Sequence, residues 1–272
     1  MRLLFCGDVV GRSGRDAISK YLPGLRRDLK LDFVVVNGEN AASGFGITEK
    51  ICKQFIESGA DVVSGGNHSW DQRESLSFIN SESRLLRPVN FPEGAPGRGA
   101  ALYEAPGGRK VMVINAMGRV FMDPMDDPFA VIAKILERYR LGTGLSAVIV
   151  DFHGEATSEK MAMGHFLDGK VSLVVGTHTH VPTADHTILP GGTAYQSDVG
   201  MTGDFDSVIG MKKEVPILRF TRKLPTERMS PATGEATLCA LFVETDDKTG
   251  LALRVEPVRI GGRLSQSMPE VA

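Results

Sequence analysis

The sequence predicts an α/β fold in which two packed mixed β-sheets are flanked by helices. Three observations lead there. Five short apolar runs, RLLFCGD, LDFVVVNGEN, ADVVSGGNH, SAVIVDFHGE and VSLVVGTHTH, each stop at a polar cluster. Stretches with helical periodicity separate them, giving the strand, loop, helix order of parallel crossover units. The chain then closes on two alternating runs, TLCALFVETD and GLALRVEPVRI, which read as an antiparallel hairpin turning at residues 248–250. A change from parallel to antiparallel, without eight regular strand–helix units, argues against a barrel.

The first strand stops before Gly7 and Asp8. Residues 13–29 follow as a helix, with Ile18, Tyr21, Leu22 and Leu25 at three- and four-residue spacing on one face. The second strand ends at Glu39 and Asn40 and the third at Asn67 and His68. Between these two, Thr48 can cap a helix in which Ile51, Phe55 and Ile56 share a face. VMVINAMG is the next strand, followed by a helix over 128–139, a strand ending at Asp151, a helix over 158–166 and a strand ending at Gly176. Beyond His180, Gly, Pro and Asp break the chain into short runs. Residues 204–237 interleave Lys212, Lys213, Arg219, Arg222, Lys223 and Arg228 with Glu214, Glu227 and Glu235. Such mixed charge reads as a solvated excursion; the alternative is a lid or subunit contact, which leaves a homo-oligomer open. With no internal repeat or linker, residues 1–272 are expected to form a single domain.

Composition narrows the function. A chain of 272 residues that is 42% hydrophobic can bury a full-sized core. A net charge of −2 from 31 basic and 33 acidic residues lacks the basic surface that polymeric nucleic acid requires, whereas a small phosphorylated ligand is compatible with it. Cys6, Cys52 and Cys239 are odd in number, far apart and without a CxxC pair, which argues against a disulfide framework or a thiolate zinc site. After Met1 and Arg2 only four apolar residues precede Gly7, too few for a signal-peptide core, and no apolar stretch reaches membrane-spanning length. The expectation is a cytoplasmic protein with no membrane partner.

Parallel strands place their carboxyl ends on one edge, where ligands bind in open α/β sheets. The residues at those ends are of metal-ligand type: the carboxylates of Asp8 and Glu39, the amide oxygens of Asn40 and Asn67, and the imidazoles of His153, His178 and His180. Two cations about 3.5–4 Å apart need a group that binds both, and Glu39, with two oxygens, is the candidate bridge. Two dications would outweigh the two carboxylates, so the surplus positive charge suits an anionic substrate. In Thr177-His178-Thr179-His180, residues two apart on an extended strand point to one side, which would bring both imidazoles to the metals. His68 directly follows Asn67 and so faces away from that metal; a protonated imidazole there could act as general acid on a leaving alkoxide.

Other polar residues read as structural. Asp151, two residues before His153, is an acceptor suited to orienting an imidazole. His165 and His186 belong to no cluster, and Asp198 and Asp204, flanking SDVGMTGD, read as turn formers. GDVVGRSG has its glycines at 7, 11 and 14, which is not GxGxxG, and no GKS or GKT supports a nucleoside-triphosphate loop. AASGFGIT is better suited to close backbone approach to phosphate, with Thr48 opening the next helix.

In the order Asp8, GEN, GNH, His153, THTH, the chain resembles the calcineurin-like dinuclear metallophosphoesterases, and within them the YmdB-type cyclic-nucleotide phosphodiesterases. Val10 stands where the broad family has the histidine of DxH, Glu39 replaces its bridging aspartate, and Thr177 replaces the glycine of GHxH. These are traits of the YmdB branch, as are SDVGMTG and the ATG within 231–234. The resemblance implies a four-layer αββα sandwich and two transition-metal ions, iron or manganese, with zinc as a further option. One metal would be held by Asp8, Glu39, Asn40 and His180, and the other by Glu39, Asn67, His153 and His178. His68 would be the catalytic acid, and Asn40 would fill the place the DxH histidine leaves at Val10. The implied reaction is hydrolysis of a small phosphodiester, a 2′,3′- or 3′,5′-cyclic nucleotide, by a metal-bridging hydroxide. The alternatives are a phosphomonoesterase or nucleotidase with the same metals, and a signalling module that binds nucleotide with little turnover.

Overall fold

The computed structural model describes residues 1–270, and the apolar runs form its strands. The first half of the chain runs β1 (Arg2–Cys6), α1 (Gly11–Asp28), β2 (Phe33–Asn37), α2 (Glu49–Glu57), β3 (Val62–Ser64), a short α3 (Ser75–Phe78) and β4 (Leu85–Leu86). The middle contains β5 (Ala100–Ala105), β6 (Arg109–Met117), α4 (Pro128–Arg138), β7 (Ala147–His153), α5 (Thr157–Leu167) and β8 (Leu173–Thr177). Then come β9 (Thr187–Ile188), β10 (Ala194–Gln196), β11 (Gly203–Asp204), α6 (Glu214–Arg222) and the hairpin of β12 (Ala236–Thr245) and β13 (Ala252–Ile260).

Both sheets are mixed. The seven-stranded sheet has the order β11-β12-β1-β2-β3-β4 with β13 on β12, and the six-stranded sheet has the order β5-β6-β7-β8-β10-β9. Strands β1, β2 and β3 run parallel, while β12 pairs antiparallel with β1. Strands β6, β7 and β8 are likewise parallel.

The two-residue period of a strand divides each sheet between two cores. Leu3, Phe5, Phe33 and Val35 of the first sheet face Val113, Ile149, Leu173 and Val175 of the second. The intervening Leu4, Cys6, Val34 and Val36 face Ile18, Leu22 and Phe55 on α1 and α2. On the far side, Val148, Val150, Phe152 and Val174 meet Ile132 of α4 and Met163 and Leu167 of α5. The result is helix, sheet, sheet, helix, as the family resemblance implies. Burying one such side chain contributes about 1.5–3 kcal/mol, so apolar layers hold the fold and polar side chains can gather at one edge.

Local signals hold too: Thr48 caps α2 by accepting from the Ile51 amide at 3.3 Å. The strands β4, β5, β9, β10 and β11 and the helices α3 and α6 have no counterpart in the sequence reading, and two further details differ. Strand β7 continues past Asp151 to His153, so His153 stands on the strand itself. Residues 204–237 are only partly a solvated excursion: Met211 and Ala232 are buried, and the chain there packs against Gly44 through Met211 and Pro231.

Candidate active site

The carboxyl ends of the parallel strands from both sheets meet at one edge. Asp8 follows β1, Glu39 and Asn40 follow β2, Asn67 follows β3, His153 ends β7, and His178 and His180 follow β8. Their polar atoms converge. Glu39 Oε1 is 3.2 Å from His153 Nε2, which in turn is 2.8 Å from Asn67 Oδ1 and 3.1 Å from His178 Nδ1. Asp8 Oδ1 lies 4.0 Å from His180 Nε2 and 3.8 Å from His153 Nδ1.

Two groups able to hold a cation result: Glu39, His153 and His178, and Asp8, Glu39 and His180. Glu39 is common to both, as the bridging position demands. A second observation concerns hydrogen bonding. Asp8 Oδ1, Glu39 Oε1 and Asn40 Oδ1 are buried acceptors without a hydrogen-bond donor. Leaving such atoms unsatisfied costs on the order of 1–3 kcal/mol each, and cations would satisfy them, so the residues fit a dinuclear centre. Close approach also explains Gly66, where a Cβ would fall 2.1 Å from Glu39 Oε2 and 2.6 Å from His153 Nε2.

Charge is strongly coupled here. Burial opposes ionisation of Glu39, but the charge of the nearby His153 and the hydrogen bond from the His68 amide to Oε2 outweigh it and hold Glu39 at about 2. Burial likewise works against the His153 imidazolium, yet Glu39 and Asp8 raise it to about 9. Burial and the charge of His153 push His178 down to about 3. Burial raises Asp8 as well, against the opposing pull of His180 and His153. In the metal-free protein, a proton on His153 therefore supplies the positive charge that the carboxylates require.

The two histidines of THTH converge by a route other than strand alternation. Strand β8 ends at Thr177, and His178 and His180 adopt left-handed backbone, with φ of 97° and 66°. Each therefore turns separately: His178 joins the His153 group, while His180 donates from Nδ1 to the Ile209 carbonyl at 2.8 Å and keeps Nε2 for the Asp8 group. Non-glycine residues in this region carry strain, and a clamp holds them. Asp198 accepts from the Thr179 amide at 3.0 Å, the Thr179 hydroxyl at 2.7 Å and Lys160 Nζ at 2.8 Å. Asp198 is thus more than a turn former. Asp204 accepts from the Asp206 amide two residues on, as a turn former does, and also from the Gly234 amide, which ties two distant parts of residues 204–237 together.

Asp151 also works differently from the sequence reading. It reaches His153 through Thr177, whose hydroxyl is 2.9 Å from His153 Nδ1 and donates to Asp151 Oδ1 at 2.8 Å. Ser64 and Asn37 donate to Asp151 as well, and burial pushes its carboxyl up to about 7.

His68 stands beside the cluster. Its amide donates to Glu39 Oε2 at 3.2 Å, and Nδ1 pairs with Asp71 Oδ2 at 2.9 Å. Its ring meets Phe45 edge-on, with centroids 5.2 Å apart. Phe45 belongs to the AASGFGIT loop, which Gln72 ties down by donating to the Phe45 carbonyl at 2.7 Å. His165 and His186 lie outside the cluster. Phe45 lies in the AASGFGIT loop that the sequence marks for close approach to phosphate, the GNHSWD spacing is a signal for Asp71, and Lys160 carries none.

The family described as YmdB-like protein matches residues 4–258. A 2′,3′-cyclic-nucleotide 2′-phosphodiesterase of Bacillus subtilis (strain 168) is 48% identical over 260 residues, covering 96% of this chain and 97% of the relative. The crystal structure of a hypothetical protein from Thermus thermophilus superposes with a TM-score of 0.90 at 42% identity, covering 97% of this chain and 100% of that one. A novel phosphatase from Mycoplasma pneumoniae gives a TM-score of 0.88 at 34% identity, covering 96% and 93%.

Proposed function

The chain belongs to the YmdB-like family, and from that premise we propose that it is a metal-dependent phosphodiesterase that opens 2′,3′-cyclic nucleotides. The observation that carries this reading is the sharing of Glu39 between two cation-holding groups, with buried oxygens of Asp8, Glu39 and Asn40 lacking donors. The Bacillus relative, similar over nearly all of both chains, supports the substrate class.

Asp8, Glu39, Asn40 and His180 would hold one ion, and Glu39, Asn67, His153 and His178 the other. Iron or manganese suits this mixture of carboxylate, amide and imidazole. Such ions supply Lewis acidity, making water nucleophilic near neutral pH and neutralising charge on the phosphate.

The remaining steps belong to side chains. His153 is fixed through Nδ1 by Thr177 and keeps Nε2 for ligation. His68, with Nδ1 engaged by Asp71, has Nε2 free to protonate the ribose oxygen as its bond to phosphorus breaks. The product is a phosphate monoester.

The test combines elemental analysis after metal-replete expression with a panel of 2′,3′- and 3′,5′-cyclic nucleotides and nucleoside monophosphates. About two ions per chain and ring opening of the 2′,3′-cyclic compounds are expected. Dephosphorylation of monophosphates alone would replace the reading with a nucleotidase, which the Mycoplasma phosphatase makes the leading alternative. Cyclic-nucleotide binding without turnover would favour a signalling module, and preferred opening of 3′,5′ rings would overturn the substrate assignment.

A further inference from the structure

Next to the general-acid position lies an aromatic and a cationic side chain from two different segments. Phe45, half-buried, sits on the loop after β2, and its ring meets the His68 ring at 5.2 Å and an interplanar angle of 81°. Arg228, exposed on residues 204–237, places its guanidinium carbon 5.3 Å from the Phe45 ring centroid. Among the described residues no carboxylate pairs with Arg228, so its cation is not committed to a salt bridge.

Their placement is fixed from both sides. Gly46, at φ 76°, lies so close to the GNH segment that a Cβ would fall 2.9 Å from Gln72 Cγ and 3.2 Å from the His68 carbonyl. Gly44, at φ 87°, is equally close to Met211 and Pro231, at 2.9 and 3.0 Å. The loop is thus wedged between the segment that carries His68 and the segment that carries Arg228.

The geometry points to Phe45 and Arg228 as the nucleobase platform of the site. This inference rests on the phosphodiesterase reading and locates the rest of its substrate. If His68 protonates the departing ribose oxygen, the ribose lies on the His68 side of the metals. The group attached to that ribose must then lie beyond His68, where one aromatic ring separates it from the guanidinium. A nucleobase is planar and has a π-face whatever its sequence identity, so it can stack on Phe45 or on the guanidinium plane. The platform therefore favours nucleotides over base-free phosphodiesters while discriminating weakly among bases.

The test compares kcat/KM for a panel of 2′,3′-cyclic nucleotides with that for the 2′,3′-cyclic phosphate of methyl riboside, which has the same leaving oxygen and no base. In Phe45→Ala and Arg228→Ala, the ratio of nucleotide to base-free turnover should fall by about tenfold, chiefly through KM for the nucleotide. Phe45→Tyr, which retains the ring, should keep the wild-type ratio. Because Arg228 is exposed, its variant also guards against misfolding as an explanation. An equal loss on both substrates would assign Arg228 to the phosphate, which they share, and would overturn the platform. An unaltered ratio in both alanine variants would do the same. Failure of the wild-type protein to open either ring would instead defeat the phosphodiesterase reading itself.

Discussion

The Thr177 hydroxyl stands 2.9 Å from His153 Nδ1 and passes its own hydrogen to Asp151, so a threonine sets the tautomer of a histidine on the neighbouring strand. The register makes this contact possible, since Thr177 of β8 pairs directly with His153 of β7. Replacing Thr177 with Val removes the acceptor while nearly conserving shape. Metal affinity should fall about 10–100-fold, the range for losing a partner that orients a ligand, and Thr177→Ser should restore it. Titration calorimetry on metal-stripped protein measures both; unchanged affinity in the valine variant would show that the hydroxyl does not orient His153.

Protons and metals compete for His153. Ligation needs the neutral ring, yet in the metal-free protein His153 is raised from 6.5 to about 9. Apparent metal affinity should therefore climb as pH rises and level off above about 9. Stability of the metal-free protein should move the other way. A raised value means a contribution that is complete below 6.5 and disappears as pH rises through about 9. Urea midpoints across that window, with and without excess manganese, should slope in opposite directions. Parallel slopes would mean that His153 is not the competing group.

His68 and Asp71 should separate catalysis from metal binding. His68→Ala is expected to keep both ions and to lose about 10²–10⁴ in rate on ribose leaving groups, which must be protonated as they depart. Bis-p-nitrophenyl phosphate expels a stable anion and should suffer far less. Asp71→Asn should share this leaving-group dependence in weaker form, because Asp71 acts by holding Nδ1 at 2.9 Å. Equal losses on both substrates would move His68 from acid to structural support.

The parts of this architecture that the sequence revealed are those where hydrophobic period and length act together. Strands β1, β2, β3, β6, β7 and β8 are runs of buried apolar residues, and α1, α2 and α4 present one apolar face each, whereas α5 buries Lys160 beside Met163 and Leu167 and exposes Met161 and Phe166. Strands β4, β9 and β11 span two residues each, too few for any period to register. The ligand-type residues were legible because each closes a strand. Strand alternation is nevertheless the wrong reason for His178 and His180, since it cannot reveal that both have left-handed backbone. Lys160 was invisible for a different reason: a lysine on a helix ordinarily faces water, and its burial depends on Asp198, 38 residues away.

That buried pair makes the last prediction. Lys160 is 2% exposed and Asp198 1%, and their 2.8 Å contact lies behind the Thr179 clamp that holds the two left-handed histidines. Breaking a buried pair by removing one partner leaves a charge without compensation, at about 3–5 kcal/mol. Lys160→Met should therefore destabilise strongly, and the loss should appear as a lowered urea midpoint. Adding Asp198→Asn to that variant removes the stranded charge and still offers the Thr179 groups an oxygen acceptor, so part of the stability should return. The histidine loop should respond in parallel, with metal affinity weak in the single variant and recovered in the double one. If the double variant is no more stable than the single, the lysine contributes through packing of its methylene stem against Gly176 rather than through charge.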